Sequence, residues 1–338
     1  MSDMRDGLSE AESGTAAMLA SITRRVAALD LDLTGKVVVT EAATGAYACT
    51  ATIAAVAGAA RVIARARDTR RHGTARDAGE ATLGLARAAG VAERIELVGE
   101  LSDAALSGCD ILTNSGHLRP ITRGMIALLP RHAVIGLMFE AWEFRGADLD
   151  LAACRERGIR VAAVNERHQD VAVFPFLGPL AVRLLEDAAI VGAGSRVALL
   201  CDNPFAGFIL DGLRAAGFSV EGFESVSCLP ADRWDAVLVA LDPFNNARLG
   251  AGDFARLAEV AAGAAVAQFW GDIDRAAAVQ AGFGNVVPVV EPGPGHMGIL
   301  LNALGPEPII RLQAGGLKAA ELVLAGGELV AGGVAEVL

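Results

Sequence analysis

The feature that most constrains this chain is the stretch of residues 36–68. Residues 37–40 (VVVT) form a β-branched run without polar interruption, which is typical of a strand buried on both faces of a parallel sheet. A loop of small residues follows, and residues 46–60 have the apolar spacing of a helix. A second strand begins at residue 61. Parallel strands joined through a helix predict a right-handed crossover, which is the repeating unit of an α/β sheet.

The same alternation recurs through most of the 338 residues. The first half has predicted strands at 37–40, 62–66, 95–98, 111–114, 133–139 and 161–164, which is the strand count of a complete doubly wound sheet. After a linking helix at 170–187, strands recur at 196–201, 219–223, 236–241, 264–269 and 286–290. We therefore expect an α/β protein with two Rossmann-like, doubly wound parallel-sheet domains and an interdomain cleft.

The length favours two domains, because one core rarely supports so long a chain. We assign residues 1–30 to an N-terminal helix, 31–170 to the first Rossmann-like domain and 171–299 to the second, and 300–338 to C-terminal helices that close the two lobes. Residues 1–8 are predicted to be disordered, and Ser9 is predicted to cap an amphipathic helix that ends near Leu29. The apolar face of that helix would pack on a domain or on a second subunit, which makes a homodimer a possible assembly.

Composition and charge limit the kinds of molecule that this protein can bind. The net charge of −11 argues against nucleic acid or an anionic membrane surface as the main partner. No apolar run reaches the ~20 residues of a membrane span, and the acidic, polar N-terminus is unlike a signal peptide. The five cysteines lie far apart with no CxxC, which favours small buried side chains in a reducing compartment. We expect a soluble, cytoplasmic protein that acts on a small-molecule substrate.

Polar residues follow nearly every predicted strand, where parallel sheets bind ligands. Any one of these side chains can simply cap the next helix, but the whole set favours a ligand site. The first domain offers Glu41, Asp68, residues 114–117, Glu140 with Glu143, and residues 165–168. The second domain offers Asp202 with Asn203, Glu224, Asp242 with Asn245 and Asn246, residues 270–272 and residues 291–296.

Three segments of the first domain resemble the nucleotide-binding half of the short-chain dehydrogenases: residues 40–45 (TEAATG), 65–68 (RARD) and 110–116 (DILTNSG). The resemblance implies a dinucleotide site formed by Thr40, Glu41, Thr44, Gly45, Arg65, Arg67 and Asp68. Two of these, Arg65 and Arg67, suit a 2′-phosphate and therefore NADP. Glu41 replaces the first glycine of the family's turn, where its carboxylate would repel a pyrophosphate. The family's YxxxK catalytic pair has no match.

The layout of the whole chain is similar to that of the D-2-hydroxyacid dehydrogenases. Residues 148–161 (DLDLAACRERGIRV) are similar to that family's DLxAAxxxGIxV, and residues 285–288 (NVVP), ahead of His296, resemble the strand that carries its catalytic histidine. The resemblance implies two α/β lobes and NAD(P). In the second lobe, residues 201–206 (CDNPFA) lack the first two glycines of GxGxxG, so the lobe could keep the fold without the dinucleotide.

The candidate catalytic residues are His296, His117 and Glu140. Histidine titrates near neutrality, and glycines beside His296 would let a substrate approach the backbone; the alternative is a turn histidine bonded to a carbonyl. Residues 139–145 (FEAWEFR) form a dense polar and aromatic cluster, for which we predict substrate binding. The substrate-binding candidates are Trp142, Glu143, Arg145, Asn114, Ser115, Asp202, Asn203 and Glu291. Tyr47 is interpreted as core packing. No metal site is predicted, because no HExxH, CxxC or paired-histidine spacing occurs.

These features leave three functional hypotheses. The first is an NAD(P)-dependent oxidoreductase acting on a small polar metabolite between the lobes, with His296 or His117 as proton donor. The second is a lyase, isomerase or transferase on the same scaffold without a dinucleotide. The third is a non-catalytic protein that closes on a metabolite. The absent fingerprint glycines favour the second hypothesis over the first, while the fold favours the first.

Overall fold

The computed structural model describes residues 2–69, 73–243, 247–327 and 329–338, and of residues 2–13 the backbone alone. The chain forms two compact units, which we call unit 1 (Met1–Val173 with Gly305–Leu338) and unit 2 (Phe174–Leu304). The C-terminal segment, predicted as a separate closing element at 300–338, thus belongs to unit 1 from residue 305 onward. Asn245 and Asn246 lie outside the described residues.

Unit 1 contains a seven-stranded sheet in the part of the chain that the structure describes. Its strands are β1 (Val37–Glu41), β2 (Arg61–Arg65), β3 (Ile95–Val98), β4 (Ile111–Thr113), β5 (Val134–Gly136), β6 (Arg160–Val164) and β12 (Ala335–Val337). The first six are parallel in the order 3-2-1-4-5-6, which is the Rossmann order with its switch point between β1 and β4. The predicted α/β fold is confirmed for this half of the chain.

One strand of unit 1 differs from the prediction of helices alone after residue 300. Strand β12 pairs antiparallel with β6 at the edge of the sheet. Asn165, just after β6, also donates from its amide to the carbonyls of Gly332 and Gly333 at 3.3 and 3.0 Å. A three-residue strand among glycines carries little periodic signal, so its pairing depends on the edge that β6 offers.

Helices cover both faces of this sheet. They are α1 (Ser2–Ala28), α2 (Cys49–Val56), α3 (Ala75–Ala88), α4 (Asp103–Ser107), α5 (Arg123–Leu128), α6 (Leu151–Arg157) and α11 (Glu307–Ala325). On one face α11 packs across β4, β5 and β6, with α1 and α2 against it. On the other, alternate strand residues such as Val39 and Leu112 share an apolar core with side chains of α4, α5 and α6. This two-sided burial explains the continuous apolar runs of the strands.

The N-terminal helix differs from its prediction. It begins at Ser2 rather than at Ser9, so residues 2–8 are helical instead of disordered. It packs on α11, α2 and α3 of its own unit, with Ile22 fully buried and Arg25 3.4 Å from Glu307. Within the described side chains of this helix, Ile22 is buried and Met18, Leu19 and Val26 are partly buried, so packing within unit 1 accounts for much of the apolar face without a second subunit. A homodimer stays a prediction.

Unit 2 has a five-stranded parallel sheet among the described residues, in the order β11-β10-β9-β7-β8. The strands are β7 (Arg196–Leu200), β8 (Ser219–Phe223), β9 (Ala236–Ala240), β10 (Ala265–Trp270) and β11 (Val286–Val287). Numbered within the unit, the order is 2-1-3-4-5, that of flavodoxin-like doubly wound folds, with a switch point between β7 and β9. The second predicted parallel-sheet domain is therefore confirmed.

The helices of unit 2 are α7 (Leu177–Asp187), α8 (Ala206–Ala215), α9 (Ala251–Val260) and α10 (Arg275–Gln280). The predicted linking helix is shorter than expected, because residues 174–176 form a 3-10 turn and the α-helix begins at Leu177. Helices α7 and α8 touch through their backbones at Gly178 and Gly212, since a Cβ built on Gly212 would lie 2.3 Å from the Cα of Gly178.

All five cysteines are free, and four of them are buried. Burial raises the pKa of the thiols of Cys49 and Cys109 to about 12, which keeps both protonated and unreactive near neutral pH. The interpretation as small buried side chains holds for these four and is wrong for Cys228, which is exposed. Within the described chain no helix combines the length and apolar character that crossing a bilayer requires.

Candidate functional site in unit 1

The switch point of unit 1 is lined by buried polar groups. The hydroxyls of Thr40 and Thr113, at the ends of β1 and β4, are 2.8 Å apart, and Thr113 lies 2.7 Å from Ser115. Beside them, Glu41 is 8% exposed and accepts the backbone N–H of His117 at 2.9 Å. The carboxylate of Glu41 therefore lies between the loops after β1 and β4, where a dinucleotide crosses a sheet of this order.

Three arginines surround the loop after β4, and we call Arg65, Arg67 and Arg119 the arginine rim. Arg65 donates to the carbonyls of Gly99 and His117 at 3.2 and 3.3 Å. Arg67 is exposed and donates to the carbonyls of Gly116 and Arg119 at 3.5 and 3.3 Å. Arg65 also pairs with the exposed carboxylate of Glu100 at 3.1 Å. The bonds of Arg67 to neutral carbonyls leave its positive charge available to an anion at the switch point.

Of the remaining predicted cofactor residues, Thr44 and Gly45 lie in the turn after β1 and Asp68 lies in the loop after β2. Gly45 has a φ of 59°, a left-handed conformation that glycine adopts without strain, and it begins a 3-10 turn of residues 45–48. Thr44 precedes this turn in extended backbone and makes no capping hydrogen bond with its side chain. The helix α2 that follows is shorter than the predicted 46–60. Asp68 accepts the backbone N–H of Ala75 at 2.8 Å, which ties the loop after β2 to the start of α3.

Arg119 is the central cation of the site. Its guanidinium donates to the backbone carbonyl of Asn114 at 2.7 Å and to the side-chain oxygen of the same residue at 3.1 Å. It lies 3.6 Å from the carboxylate of Asp148 and 5.5 Å from the ring centroid of Phe139. Burial lowers the pKa of Arg119, and Asp148 opposes that shift. These contacts fix the orientation of Arg119 and of Asn114.

Two side chains near Arg119 have polar atoms for which the described part of the chain offers no hydrogen-bond partner. The side-chain nitrogen Nδ2 of Asn114 is buried and unpaired, and so is Nδ1 of His117. Burial lowers the pKa of His117, helped by the charges of Arg67 and Arg65. The neutral imidazole is therefore its form at neutral pH, in which it is a poor proton donor. Asn114 and His117 were both predicted as site residues, and each brings an unused hydrogen-bonding atom to the switch point.

Tyr47 lies in the same electrostatic field. Burial raises the pKa of Tyr47 to about 12, with the charge of Glu41 next, while Arg119 pulls it down. The hydroxyl of Tyr47 is thus protonated at neutral pH, and no described side chain or carbonyl bonds to it. Core packing, the role predicted for Tyr47 from the sequence, describes only part of its environment. The ring is half-buried, and its hydroxyl group faces the charges of the site.

Glu140, a predicted catalytic residue, is fully buried and accepts several hydrogen bonds. Its carboxylate receives the backbone N–H of Glu166 at 3.0 Å, Nε of Arg167 at 3.3 Å and the indole N–H of Trp142. A carboxylate held by three donors connects the loops that follow β5 and β6. The geometry thus gives Glu140 a structural role that its position after a strand did not indicate.

The predicted substrate segment 139–145 lies in the loop after β5. Arg145 pairs with Asp148 at 2.8 Å, and since Asp148 also approaches Arg119, one carboxylate faces two arginines. A pocket of about 450 Å³ opens in the loops after β4 and β5. Its lining is largely apolar and includes Pro120, Ile121, Phe144, Leu149 and Leu151. This loop region can thus hold a small ligand with an anionic end and an apolar surface.

In unit 2 the switch point is filled by its own side chains. Asp202 pairs with Arg248 at 2.6 Å and accepts the backbone N–H of Asp242 at 2.9 Å. Asn203 donates to the carbonyl of Ala240 at 2.6 Å and accepts the N–H of Phe205 at 3.1 Å. These bonds occupy the turn after β7, where a pyrophosphate would require glycines and free N–H groups.

The other predicted residues of unit 2 lie after β10 and β11. Glu291 borders a pocket of about 420 Å³ together with Gln268, Asp272, Pro292 and Pro294. His296 is exposed, and its Nδ1 lies 2.9 Å from the carbonyl oxygen of Pro294 in its own turn. This is the geometry of the turn histidine, which the sequence left open as the alternative. A catalytic role for His296, and one cleft shared by both units, stay predictions.

Two residues with a place in the unit 1 site, Arg119 and Tyr47, were absent from the predicted site residues, and a third, Glu166, was named only within the strand-end set 165–168, without a role. Glu166 follows β6 and is 7% exposed. Its burial, together with the charges of Glu143 and Glu140, raises the pKa of this carboxyl well above its usual value. The position of Glu166 after a strand was the available signal. Arg119 and Tyr47 lie in loops three or more residues beyond their strands, where that signal fails.

A scan against protein-family models and a search of curated protein sequences both return no match. Among solved structures, a dipicolinate synthase chain from Bacillus subtilis aligns at a TM-score of 0.55 and 13% identity, over 88% of this chain and 100% of that one. The dipicolinate synthase chain from Bacillus halodurans aligns at a TM-score of 0.54 and 13% identity, over 87% of this chain and 99% of that one. This chain shares their fold. The two-domain Rossmann layout implied by the dehydrogenase resemblance is thereby confirmed as a fold, and at such identity the likeness extends no further.

Proposed function

We propose that the protein is an NAD(P)-dependent oxidoreductase that acts on a small polar metabolite at the carboxyl edge of the unit 1 sheet. One observation carries the proposal: a sheet of order 3-2-1-4-5-6 collects the arginine rim at its switch point. In sheets of this order the dinucleotide crosses the switch point. Unit 2 is the weaker candidate, because the contacts of Asp202 and Asn203 fill its turn.

The turn after β1 lacks the glycines of a pyrophosphate site, but other residues of unit 1 suit the phosphates of a dinucleotide. Arg65 ends β2 and Arg67 follows it, where the adenosine ribose lies in sheets of this order, and the exposed guanidinium of Arg67 suits a 2′-phosphate. Glu41 would repel the pyrophosphate, but it accepts the N–H of His117 and faces the charge of Arg119. Arg65 pairs with Glu100 and Arg119 lies near Asp148, so the charge of Arg67 is the main one that the rim offers a phosphate against the repulsion by Glu41. NADP is accordingly preferred over NAD in this proposal.

A bound nicotinamide would supply or accept the hydride. The chain itself binds the metabolite and handles the proton. Arg119 and Arg145 attract an anionic group of the substrate, since Asp148 neutralises only part of their charge. The protonated hydroxyl of Tyr47 and Nδ2 of Asn114 are available to a substrate oxygen as donors. These groups orient a small polar molecule on the β4 and β5 side of the switch point.

The proposal predicts saturable binding of NADP to the purified protein, measured by calorimetry. Arg67→Ala is expected to weaken this binding about tenfold, because it removes one charge-assisted contact to the 2′-phosphate, worth roughly 1.4 kcal/mol. NAD, which lacks that phosphate, should bind more weakly and respond less to the substitution. Arg61→Ala is the matched control: Arg61 is exposed and pairs with Glu96 at the amino end of β2, opposite the edge that carries Arg67. Absent NADP binding in the wild type, or equal losses in the two variants, would sink the proposal.

A second candidate is an enzyme of the same site that needs no dinucleotide. The observation in its favour is Glu41, whose carboxylate lies in the turn where fingerprint glycines admit a pyrophosphate. Such an enzyme would be a lyase, isomerase or transferase that works by acid–base chemistry on a polar metabolite. Failure of NADP, NAD and their reduced forms to bind, with turnover of a metabolite that Tyr47→Phe abolishes, would favour it. Binding of a metabolite without turnover would instead indicate a non-catalytic binding protein.

A further inference from the structure

Glu166 carries a largely buried carboxyl group to which the described residues donate no hydrogen bond. It directly follows Asn165 at the end of β6 and is 7% exposed. Its backbone N–H is bonded to Glu140, yet within the described residues its carboxyl oxygens receive no hydrogen bond. Glu140, in contrast, accepts three donors from the same pair of loops. Of these two neighbouring carboxyl groups, Glu140 is thus fully hydrogen-bonded, whereas Glu166 receives no hydrogen bond from the described residues.

The charged groups that face Glu166 all raise the pKa of its carboxyl group. Glu140 and Glu143, from the loop after β5, both face it with negative charge. Tyr47, from the turn after β1, faces it with a neutral hydroxyl group. The nearest cation along the chain, Arg167, points its Nε at Glu140, at 3.3 Å. A negative charge on Glu166 would be the third in this place, largely buried and without a donor from the described residues, which is unfavourable.

We infer that Glu166 is a neutral carboxylic acid at neutral pH and that it donates its proton to an oxygen of the ligand in unit 1. This inference deepens the proposed function and shares its site, but it does not depend on a dinucleotide. The hydroxyl of Tyr47 and Nδ2 of Asn114, at the same sheet edge, are further donors without an acceptor among the described residues. Each of these three side chains can donate a hydrogen bond, and each is uncharged in this inference. The ligand they suit is therefore one with carbonyl or carboxylate oxygens as acceptors.

Protonation of Glu166 can be read directly by difference infrared spectroscopy of the protein without any ligand. At pH 7 the wild type is expected to show the carbonyl stretch of a protonated carboxylic acid, and Glu166→Gln should lose that band. Glu80→Gln, on the exposed face of α3, should keep it and serves as the control. Glu143→Gln should lose the band at a lower pH than the wild type does, because removing one neighbouring negative charge lowers the pKa of Glu166. A wild type without this band at pH 7 would overturn the inference.

Donation is tested by adding acetate, the smallest carboxylate acceptor after formate, to the same sample. The band of Glu166 is expected to shift to lower frequency in the wild type as its proton enters a hydrogen bond. A band that acetate leaves unmoved would refute the donor role even if the proton is present. Neither spectrum depends on NADP, so a failure here is distinguishable from a failure of dinucleotide binding, which the calorimetry measures.

Thermal unfolding against pH gives an independent readout. The pKa of Glu166 is raised in the folded protein, so its contribution to stability is full below the unfolded pKa and is lost as the pH rises through the folded pKa. Glu166→Gln cannot ionise and escapes that loss. The melting temperature of this variant should match the wild type at low pH and exceed it increasingly toward alkaline pH. A constant difference across the pH range would contradict a raised pKa.

Discussion

Replacing Glu140 with alanine is expected to lower the free energy of unfolding by about 2–4 kcal/mol. The side chain is fully buried, and its carboxylate is the acceptor for the N–H of Glu166 and the indole N–H of Trp142. Alanine would leave both donors without their acceptor and create a cavity. We do not expect the larger cost of an isolated buried cation, because 44% of the side chain of Arg167 is exposed.

Two control variants separate the causes of that loss. Glu140→Gln keeps an oxygen acceptor and the volume, so it should lose less than half as much stability as alanine. Glu143→Ala, three residues along, removes a carboxylate that is only partly buried and should cost under about 0.5 kcal/mol. Urea unfolding followed by circular dichroism measures all three variants. If alanine at 140 were as mild as alanine at 143, Glu140 would not be the acceptor that connects the two loops.

The sheet could be predicted from the sequence because buried parallel strands have a strong local signal. The run at β1 and its counterparts in both units are continuous and β-branched, and residues 95–98 and 219–223 were placed with the bounds that the structure has. The strands β3 and β8 lie at sheet edges and are largely exposed. A strand such as β1 can be recognised without its neighbours, because four of its five residues are buried. The strand β12 lacks this property, because its place is set by the exposed edge of β6.

The site was harder to predict because position after a strand does not reveal what a side chain does. Glu140 and Glu166 both follow strands, and both are carboxylates in the same pair of loops. One accepts three hydrogen bonds and the other accepts none from the described residues, a difference that arises only when the two loops meet. Tyr47 could not be distinguished from a core aromatic residue, because the ionisable groups around it, such as Arg119 and Glu166, come from distant parts of the chain.

Gly212→Ala is expected to destabilise unit 2 by about 3 kcal/mol. A Cβ on Gly212 would lie 2.3 Å from the Cα and 2.9 Å from the carbonyl carbon of Gly178. Both are backbone atoms, so no rotamer change can relieve the clash, and α7 and α8 must move apart. That separation would also loosen the edge-on contacts of Phe174 with Phe205 and Phe208, whose ring centroids are 5.3 Å away in each case. The gain in helix propensity, roughly 1 kcal/mol, offsets only part of this.

Gly207→Ala is the matched control for this close approach, since Gly207 is in the same helix and a Cβ there would meet no atom within 4 Å. That variant should be as stable as the wild type or more stable, by up to about 1 kcal/mol. Tryptophan fluorescence during urea unfolding suits the measurement, because Trp234 and Trp270 are buried in unit 2. The reciprocal variant Gly178→Ala should behave like Gly212→Ala, because the same two backbones are forced apart. If Gly212→Ala matched Gly207→Ala, the two helices would have to tolerate a wider spacing, and their backbone contact would contribute little to the stability of unit 2.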